Sequence, residues 1–133
     1  MQKEFKIKAH LIRGKVDIKY IKSLAPFEFQ NWVVVDKFLG KASARKSGDM
    51  GIDGFTPEVL GGHPIQVKQS KSVGRNVVDN FETAIRRVSK KKGYIVAYSF
   101  VKSAYEEAAR AKNQDRLEIV LRTVKELING KIE

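Results

Sequence analysis

The chain has 133 residues, which is the length of one domain with one sizeable core. Its 42% hydrophobic and 31% charged residues exclude a disordered class, and the absence of cysteine excludes disulfides and thiolate metal sites. The 26 lysine and arginine residues against 15 acidic residues give a net charge of +11, which favours nucleic acid as a partner over an anionic membrane surface.

The chain shows no sign of a membrane span or a secretory signal. No apolar run approaches the roughly 18 residues that a span needs. The charged start Met1–Lys6 lacks the apolar region of a secretory signal. We therefore expect a cytoplasmic protein with no membrane partner.

A basic N-terminal arm or hairpin is expected at residues 1–22, before a domain at 23–133. Residues 4–21 alternate between apolar and polar in places around Arg13-Gly14, which is typical of a β-hairpin. The second half of this segment also suits a short helix capped by Asp17. Both interpretations remain open from the sequence.

The first helix of the domain is predicted at Pro26–Leu39. Proline suits a first helical turn, and Gly40 stands where a left-handed C-cap would end the helix. The apolar positions of this helix suit packing on a sheet. They are Phe27, Trp32, Val34, Val35 and Phe38. The basic stretch Lys41–Met50 that follows is predicted to be a loop.

Two short strands joined by a turn come next. Gly51–Phe55 is predicted as a strand, and Thr56–Gly62, with its proline and two glycines, as the turn. Ile65–Gln69 alternates strictly, which predicts a second strand antiparallel to the first.

Helices and strands alternate through the rest of the chain. Apolar residues at helical spacing predict a helix at Arg75–Lys90, which Gly93 is expected to stop. The elements predicted after it are a strand at Tyr94–Phe100, a helix at Ser103–Lys112, a strand at Leu117–Leu121 and a last helix begun by the capping box Thr123–Glu126. Strand–helix–strand units place their strands in parallel, so we expect an α/β sandwich around a mixed sheet.

Asp53, Gln66 and Lys68 are the candidate catalytic residues. Gln66 and Lys68 project to one face of their strand, and pairing of the two strands can bring Asp53 beside them. Phosphodiester hydrolysis uses a hard cation with oxygen ligands, for which the Asp53 carboxylate, the Gln66 amide and the Val67 carbonyl are candidates. Lys68 would orient or deprotonate the attacking water, or stabilise developing negative charge. On spacing alone, a solvated strand face is the favoured interpretation of Gln66 and Lys68.

Further candidates lie outside these two strands. Glu28 is a candidate second carboxylate, although an acid in a first helical turn also suits the helix dipole alone. The helix N-terminus at Arg75 can hold a phosphate, or it can be a simple loop and cap. The residues expected to contact the DNA backbone are Lys46, Ser70, Lys71, Arg75 and Asn76.

Several segments of the chain occur in an order that is typical of one nuclease family. They are Pro26-Phe27-Glu28, Gly48–Gly54, Ile65–Gln69, Phe100 with Ala104, Ala108 and Ala109, Ile119–Leu121, and Glu126-Leu127-Ile128. In this order, over about 100 residues at Phe27–Leu127, the chain resembles the Mrr-like branch of the PD-(D/E)xK restriction-endonuclease-like nucleases.

The resemblance implies a restriction-endonuclease-like fold, in which a mixed β-sheet with an αβββαβ-type core is flanked by helices. It also implies an endonuclease that cuts double-stranded DNA with Mg²⁺, or with Mn²⁺ as a substitute. Asp53 would be the metal ligand, Lys68 the catalytic lysine and Glu28 the helix acid. Gln66 stands where many relatives carry Glu, although the Mrr-like branch often has Gln, so metal affinity would depend more on Glu28.

The context of the activity has several interpretations. The segment is also similar to a nuclease domain that accompanies some DNA methyltransferases, which implies restriction–modification. A non-catalytic DNA-binding module of the same fold would fit the neutral Gln66. A structure-selective nuclease of junctions or repair, working as a homodimer, would fit the same fold as well.

Overall fold

The structure is a computed structural model that describes residues 17–43 and 51–133. The strands of these residues are β1 (Lys41–Ala42), β2 (Gly54–Phe55), β3 (Pro64–Val67), β4 (Lys92–Ala97) and β5 (Glu118–Thr123). The helices are α1 (Ile18–Lys22), α2 (Pro26–Asn31), α3 (Arg75–Arg87), α4 (Lys102–Arg110) and α5 (Val124–Ile128). Trp32–Lys37 and Ala111–Asp115 are π-helical, and Glu58–Leu60 is a 3-10 turn.

The described strands form one sheet in chain order, from β1 at one edge to β5 at the other. β2 pairs antiparallel with both β1 and β3. β3, β4 and β5 are parallel, and α3 and α4 make the crossovers between them. The predicted antiparallel pair and the predicted parallel strand–helix–strand units are both confirmed.

Each face of the sheet carries its own apolar layer. On one face, Tyr94 and Val96 of β4 pack with residues of α1, α2 and α5. On the other face, Ile95 packs with residues of α3 and α4. The result is the predicted α/β sandwich of helices, mixed sheet and helices. None of the described helices is both long and apolar enough to cross a membrane.

The described part of the N-terminal segment is helical. The Asp17 carboxylate accepts the Lys19 N–H at 2.9 Å and caps α1. The helix capped by Asp17 is therefore confirmed. Residues 4–16 of the alternative hairpin lie outside the described residues. Ile21 is fully buried in the apolar layer that it forms with residues of α2 and α5, and this packing fixes α1 to the domain.

The helix predicted at Pro26–Leu39 changes its winding after Asn31. Trp32–Lys37 continues it as a π-helix, whose wider turns shift the direction in which later side chains point. Phe27 is 56% exposed and Val35 is 42% exposed, so their predicted place on the buried face is wrong. Phe29 and Val33 are buried instead.

Gly40 does not cap this helix, which corrects the prediction. The left-handed residue is Leu39, with φ of +56°. A Cβ on Gly40 would overlap the carbonyl oxygen of Phe55, so the close approach of β2 requires glycine at this position. Lys41–Ala42, predicted as the start of a loop, pairs with β2 as an edge strand. The rest of that loop, residues 44–50, lies outside the described residues.

Gly93 does not stop the next helix either. α3 ends at Arg87, and Ser89 takes the left-handed conformation after it, with φ of +58°. Gly93 lies in β4, where a Cβ would come within 2.8 Å of Phe81 and 2.9 Å of Ile85. Glycine therefore allows α3 to pack directly on the strand.

Two local predictions are confirmed. Thr123 Oγ1 accepts the Glu126 N–H at 3.1 Å, and Glu126 Oε1 accepts the Thr123 N–H at 2.8 Å, which completes the capping box of α5. Gly61 and Gly62 form the predicted turn with φ of +115° and +58°, a conformation that favours glycine.

A buried ion network joins α3 to α4. The Arg110 guanidinium contacts both carboxylate oxygens of Glu107, with Nη2–Oε2 at 2.7 Å, and also Glu82 Oε1 at 3.2 Å. The side chains of Glu82 and Glu107 are only 5% and 2% exposed. Burial and the neighbouring Glu107 raise the pKa of Glu82 to about 8, whereas the hydrogen bonds from Arg110 lower the pKa of Glu107 to about 2.

The two shifts act on stability in opposite directions. A raised pKa means that the folded chain binds the proton more tightly, so the contribution of Glu82 is full below about 4.5 and is lost as the pH rises to about 8. The contribution of Glu107 is present above about 4.5 and is lost as the pH falls to about 2.

Glu82→Gln is expected to remove the loss of stability at high pH, because the amide stays neutral. The advantage of the variant over the parent in free energy of unfolding should therefore be larger at pH 9 than at pH 6, by on the order of 2 kcal/mol. Urea unfolding at both pH values measures this, with the exposed Glu106→Gln as matched control. An equal difference between parent and variant at the two pH values would contradict the raised pKa.

Candidate active site

Asp53 lies directly before β2 and is held by backbone hydrogen bonds on both sides. Its N–H donates to Ile65 O at 2.8 Å, and its carbonyl accepts the Ser43 N–H at 2.8 Å. Gly54 also pairs with Ile65, so Asp53 and Gly54 both oppose one residue of β3. This is the pattern of a β-bulge, a device that redirects a side chain relative to the sheet.

The Asp53 carboxylate turns toward β3. Oδ2 accepts the N–H of Val67 at 2.7 Å. In an extended strand the N–H and the carbonyl of one residue point to the same side. The Val67 carbonyl therefore points to the side of β3 on which Asp53 lies.

Gln66 and Lys68 alternate with the residues that face α2. Ile65 and Val67 belong to or pack against the layer that contains Tyr94 and Val96, so Gln66 and Lys68 project toward the opposite face. Lys68 is half-buried, and its N–H continues the sheet by donating to Val96 O at 2.8 Å.

Gln66 presents a buried oxygen to the site. The residue is 6% exposed, and its Oε1 has no hydrogen-bond partner among the described residues. An unpaired buried acceptor costs about 1–3 kcal/mol, and its usual partner is an ordered water or an ion. Gly51 has φ of +87°, and a Cβ there would overlap Gln66 Nε2. This glycine therefore makes room for the amide.

The helix α2 reaches Asp53 through a residue that the sequence analysis did not single out. Gln30 Nε2 donates to the Asp53 carbonyl at 3.5 Å. Glu28, the predicted helix acid, is half-buried, and its Oε1 accepts the Ala25 N–H at 3.2 Å in the first turn of α2. The sequence did hold a signal for Gln30, because it is a polar residue that interrupts the apolar face of Phe29–Val34.

The predicted DNA contacts lie mainly in the loop after Lys68 and at the start of α3. Lys71 and Asn76 are exposed, and the Ser70 carbonyl accepts the Tyr98 N–H at 2.9 Å. Arg75 is 61% exposed at its side chain and also lies 3.4 Å from Glu107, so it belongs partly to the buried ion network. Lys46 lies outside the described residues.

Three acids of that network lie close enough together to suggest a metal site of their own. Asp79, Glu82 and Glu107 each bring one oxygen within 4.8 Å of the others. Arg110 and Arg75 already contact this group, so much of its negative charge is balanced by guanidinium groups. It lies between α3 and α4 and contains none of the residues predicted as catalytic.

Comparison with known proteins identifies the family. Residues 21–129 match the model of the Mrr catalytic domain, which is described as a restriction endonuclease. The chain belongs to the Mrr-type restriction endonuclease family. No curated protein and no solved structure matches it. The Mrr-type domain is a nuclease domain with DNA as its implied substrate, and its five-stranded mixed sheet has the predicted restriction-endonuclease-like architecture.

Gly51→Ala should disturb the site specifically. Gly130→Ala is a matched control, because Gly130 has φ of +86° and a Cβ there would meet nothing within 4 Å. We expect Gly51→Ala to lose about 1 kcal/mol more free energy of unfolding than the control, because its Cβ displaces the Gln66 amide. Denaturant unfolding of both variants measures this, and equal losses would show that Gln66 is not held against Gly51.

Proposed function

We propose that this Mrr-type domain is a metal-dependent DNA endonuclease whose catalytic centre is formed by Asp53, Gln66 and Lys68. The observation that carries the proposal is the buried Gln66 Oε1, which has no hydrogen-bond partner among the described residues and belongs to the strand that also binds the Asp53 carboxylate. Nucleases of the PD-(D/E)xK type typically use divalent metal ions, and oxygen donors of this kind suit Mg²⁺ or Mn²⁺.

The residues that would hold the metal fit a hard cation. Asp53 offers a carboxylate, Gln66 an amide oxygen and Val67 a carbonyl that points to the side of Asp53. Glu28 is the candidate for a second carboxylate from α2. When bound, the metal would supply positive charge to the scissile phosphate and to the attacking water.

The protein's own groups have separate roles in this proposal. The Val67 N–H fixes the Asp53 carboxylate, so its position is set before DNA binds. Lys68, two residues after Gln66 on the same strand, carries an ammonium that would stabilise negative charge on the phosphate or orient the water. Lys71, Asn76, Ser70 and Arg75 would contact the DNA backbone on either side of the cut, together with Lys46.

We further propose that the activity serves restriction–modification beside a DNA methyltransferase. The family description as a restriction endonuclease supports this context. The neutral side chain of Gln66 would also suit a second function, that of a DNA-binding module of the same fold that does not cut DNA. The two functions differ in whether metal binds at Asp53 and Gln66 and in whether DNA is cleaved.

Asp53→Asn and Lys68→Met are expected to reduce Mg²⁺-dependent cleavage of duplex DNA at least about 100-fold, because they remove the negative charge of the metal-binding carboxylate and the positive charge of the lysine. Gel assays on linear, methylated and branched duplexes measure this. Lys125→Met, an exposed lysine of α5, is the matched control for the loss of charge. Cleavage by either variant at the parent's rate would exclude these residues from the centre, and a parent that binds but never cuts would favour the non-catalytic module.

Gln66→Glu is expected to tighten Mn²⁺ binding about 10-fold, because a carboxylate replaces a neutral amide at the site. Gln66→Leu should weaken the binding by at least as much. Calorimetric titration without DNA measures both affinities, so the result does not depend on cleavage. In EDTA, Gln66→Glu should unfold at a lower temperature than the parent, since a buried charge then lacks its cation. Unchanged Mn²⁺ affinity in Gln66→Leu would remove Gln66 from the metal site.

A further inference from the structure

A dense group of positive charges lies at the far end of α3 from the candidate catalytic centre. We define this basic patch by the seven cations of two segments, residues 86–92 and residues 112–118. The acids in the same two segments are Asp115 and Glu118. The cations are Arg86, Arg87, Lys90, Lys91, Lys92, Lys112 and Arg116. α3 has 13 residues and is therefore about 20 Å long, which separates the patch from the loop that follows Lys68.

The structure brings the two segments together around a shallow groove. The groove has a volume of about 370 Å³ and is lined by Arg86, Ser89, Lys90, Lys91, Asp115 and Leu117. The Glu118 N–H donates to Lys91 O at 2.9 Å, which joins the start of β5 to the residues before β4. Arg116 stands between two of the lining residues and is exposed.

Internal contacts use only part of this charge. Asp115 Oδ2 forms ion pairs with Arg86 Nη2 at 3.4 Å and with Arg110 Nη2 at 3.2 Å, so its negative charge is already shared between two guanidinium groups. Lys92 pairs with Glu133 at 3.1 Å. Within the described part of the chain, Arg87, Lys91, Lys112 and Arg116 have no ion pair.

The helix dipole explains some of these cations but not the patch as a whole. Arg86 and Arg87 are in the last turn of α3, where positive charge stabilises the helix. Lys91 and Arg116 are exposed and lie outside α3, so the dipole of this helix does not account for them. Lys91 lines the groove, and Arg116 lies between the lining residues Asp115 and Leu117. Cations held this close raise the affinity of a surface for a polyanion.

We propose that the basic patch is a second contact for the phosphate backbone of duplex DNA, separate from the catalytic centre. The proposal rests on the proposed function only in taking DNA as the substrate. The patch would hold DNA through charge and release condensed counterions, which makes its contribution strongly dependent on salt. It would add affinity without reading sequence, because lysine and arginine contacts to phosphates carry no base information.

Binding of a duplex of about 30 base pairs, in EDTA so that no cleavage occurs, tests the proposal. Lys91→Gln/Arg116→Gln is compared with Lys19→Gln/Lys125→Gln, which removes the same charge from exposed sites on α1 and α5. We expect the patch variant to bind about 10-fold more weakly at 100 mM salt than the control. The slope of log affinity against log salt should fall in magnitude by roughly 1 to 2.

Glu118→Gln provides a test in the opposite direction. Glu118 is the exposed acid at the edge of the patch, and its removal should strengthen DNA binding about 2- to 3-fold. Equal affinities and slopes for the patch variant and its control would overturn the proposal. Equal DNA binding with a specific loss of binding to anionic lipid vesicles would overturn it as well and assign the patch to a membrane surface.

These measurements keep the two proposals apart. A protein that loses DNA affinity when the patch is neutralised but never cuts DNA supports the patch and contradicts the nuclease proposal. A protein that cuts DNA, and whose patch variant binds like its control, supports the nuclease and contradicts the patch. Thermal unfolding of each variant verifies that the substitutions act at the surface, where they should shift Tm little.

Discussion

The hydrogen bond from the Val67 N–H to Asp53 Oδ2, at 2.7 Å, is the contact on which the candidate centre depends. β2 has only two residues, so few backbone bonds hold it to β3. The carboxylate adds a side-chain bond to the ladder and ties the acid to the strand that carries Gln66 and Lys68. The same contact therefore serves both the sheet and the site, because moving Asp53 would change both.

The sequence predicts the parts of the fold that repeat a pattern over many residues. A continuous buried face runs along each of the elements α3, β4, α4 and β5. The spacing of apolar residues therefore predicts whether each is a helix or a strand, and their alternation predicts that the strands are parallel. β1 has two residues and no period, and it was predicted as loop. The resemblance to the family did imply three strands before α3, and β1 completes that number.

Glycine was the main source of error in placing helix ends. Gly40 and Gly93 both follow helices, where a left-handed cap is the usual role of glycine. In the structure, Leu39 and Ser89 take the left-handed conformation, and each glycine instead admits a close neighbour from another element. Residue type alone does not separate these two uses, because the second depends on what packs against the backbone in three dimensions.

Some features of the candidate site could be predicted from the sequence, and others could not. Adjacency of the two segments that carry Asp53 and Gln66 followed from the hairpin pattern, and the candidate roles of the residues followed from their chemistry. The order of the family's segments favoured these roles over a solvated strand face. Contacts between distant segments had no signal in the sequence. Arg75 was predicted as a DNA contact from its place at a helix start, but the fold also gives it Glu107 as a partner. The hydrogen bond from Gln30 to Asp53 joins residues 23 positions apart in the sequence.

The neutral residue at position 66 has a physical consequence for how the domain folds. A glutamate at this buried position, next in sequence to the Val67 N–H that binds the Asp53 carboxylate, would bring a second negative charge to the candidate centre and would require a cation to offset it. An amide carries no net charge, so the sheet can form without that electrostatic penalty before any metal binds. In the proposed centre, the cost would be a weaker attraction for the cation, so occupancy of the site would depend on additional charge. DNA would bring phosphate oxygens of its own, and the net charge of +11 on the chain would favour its approach. In such a centre metal and DNA would bind cooperatively, each supplying charge that the other lacks.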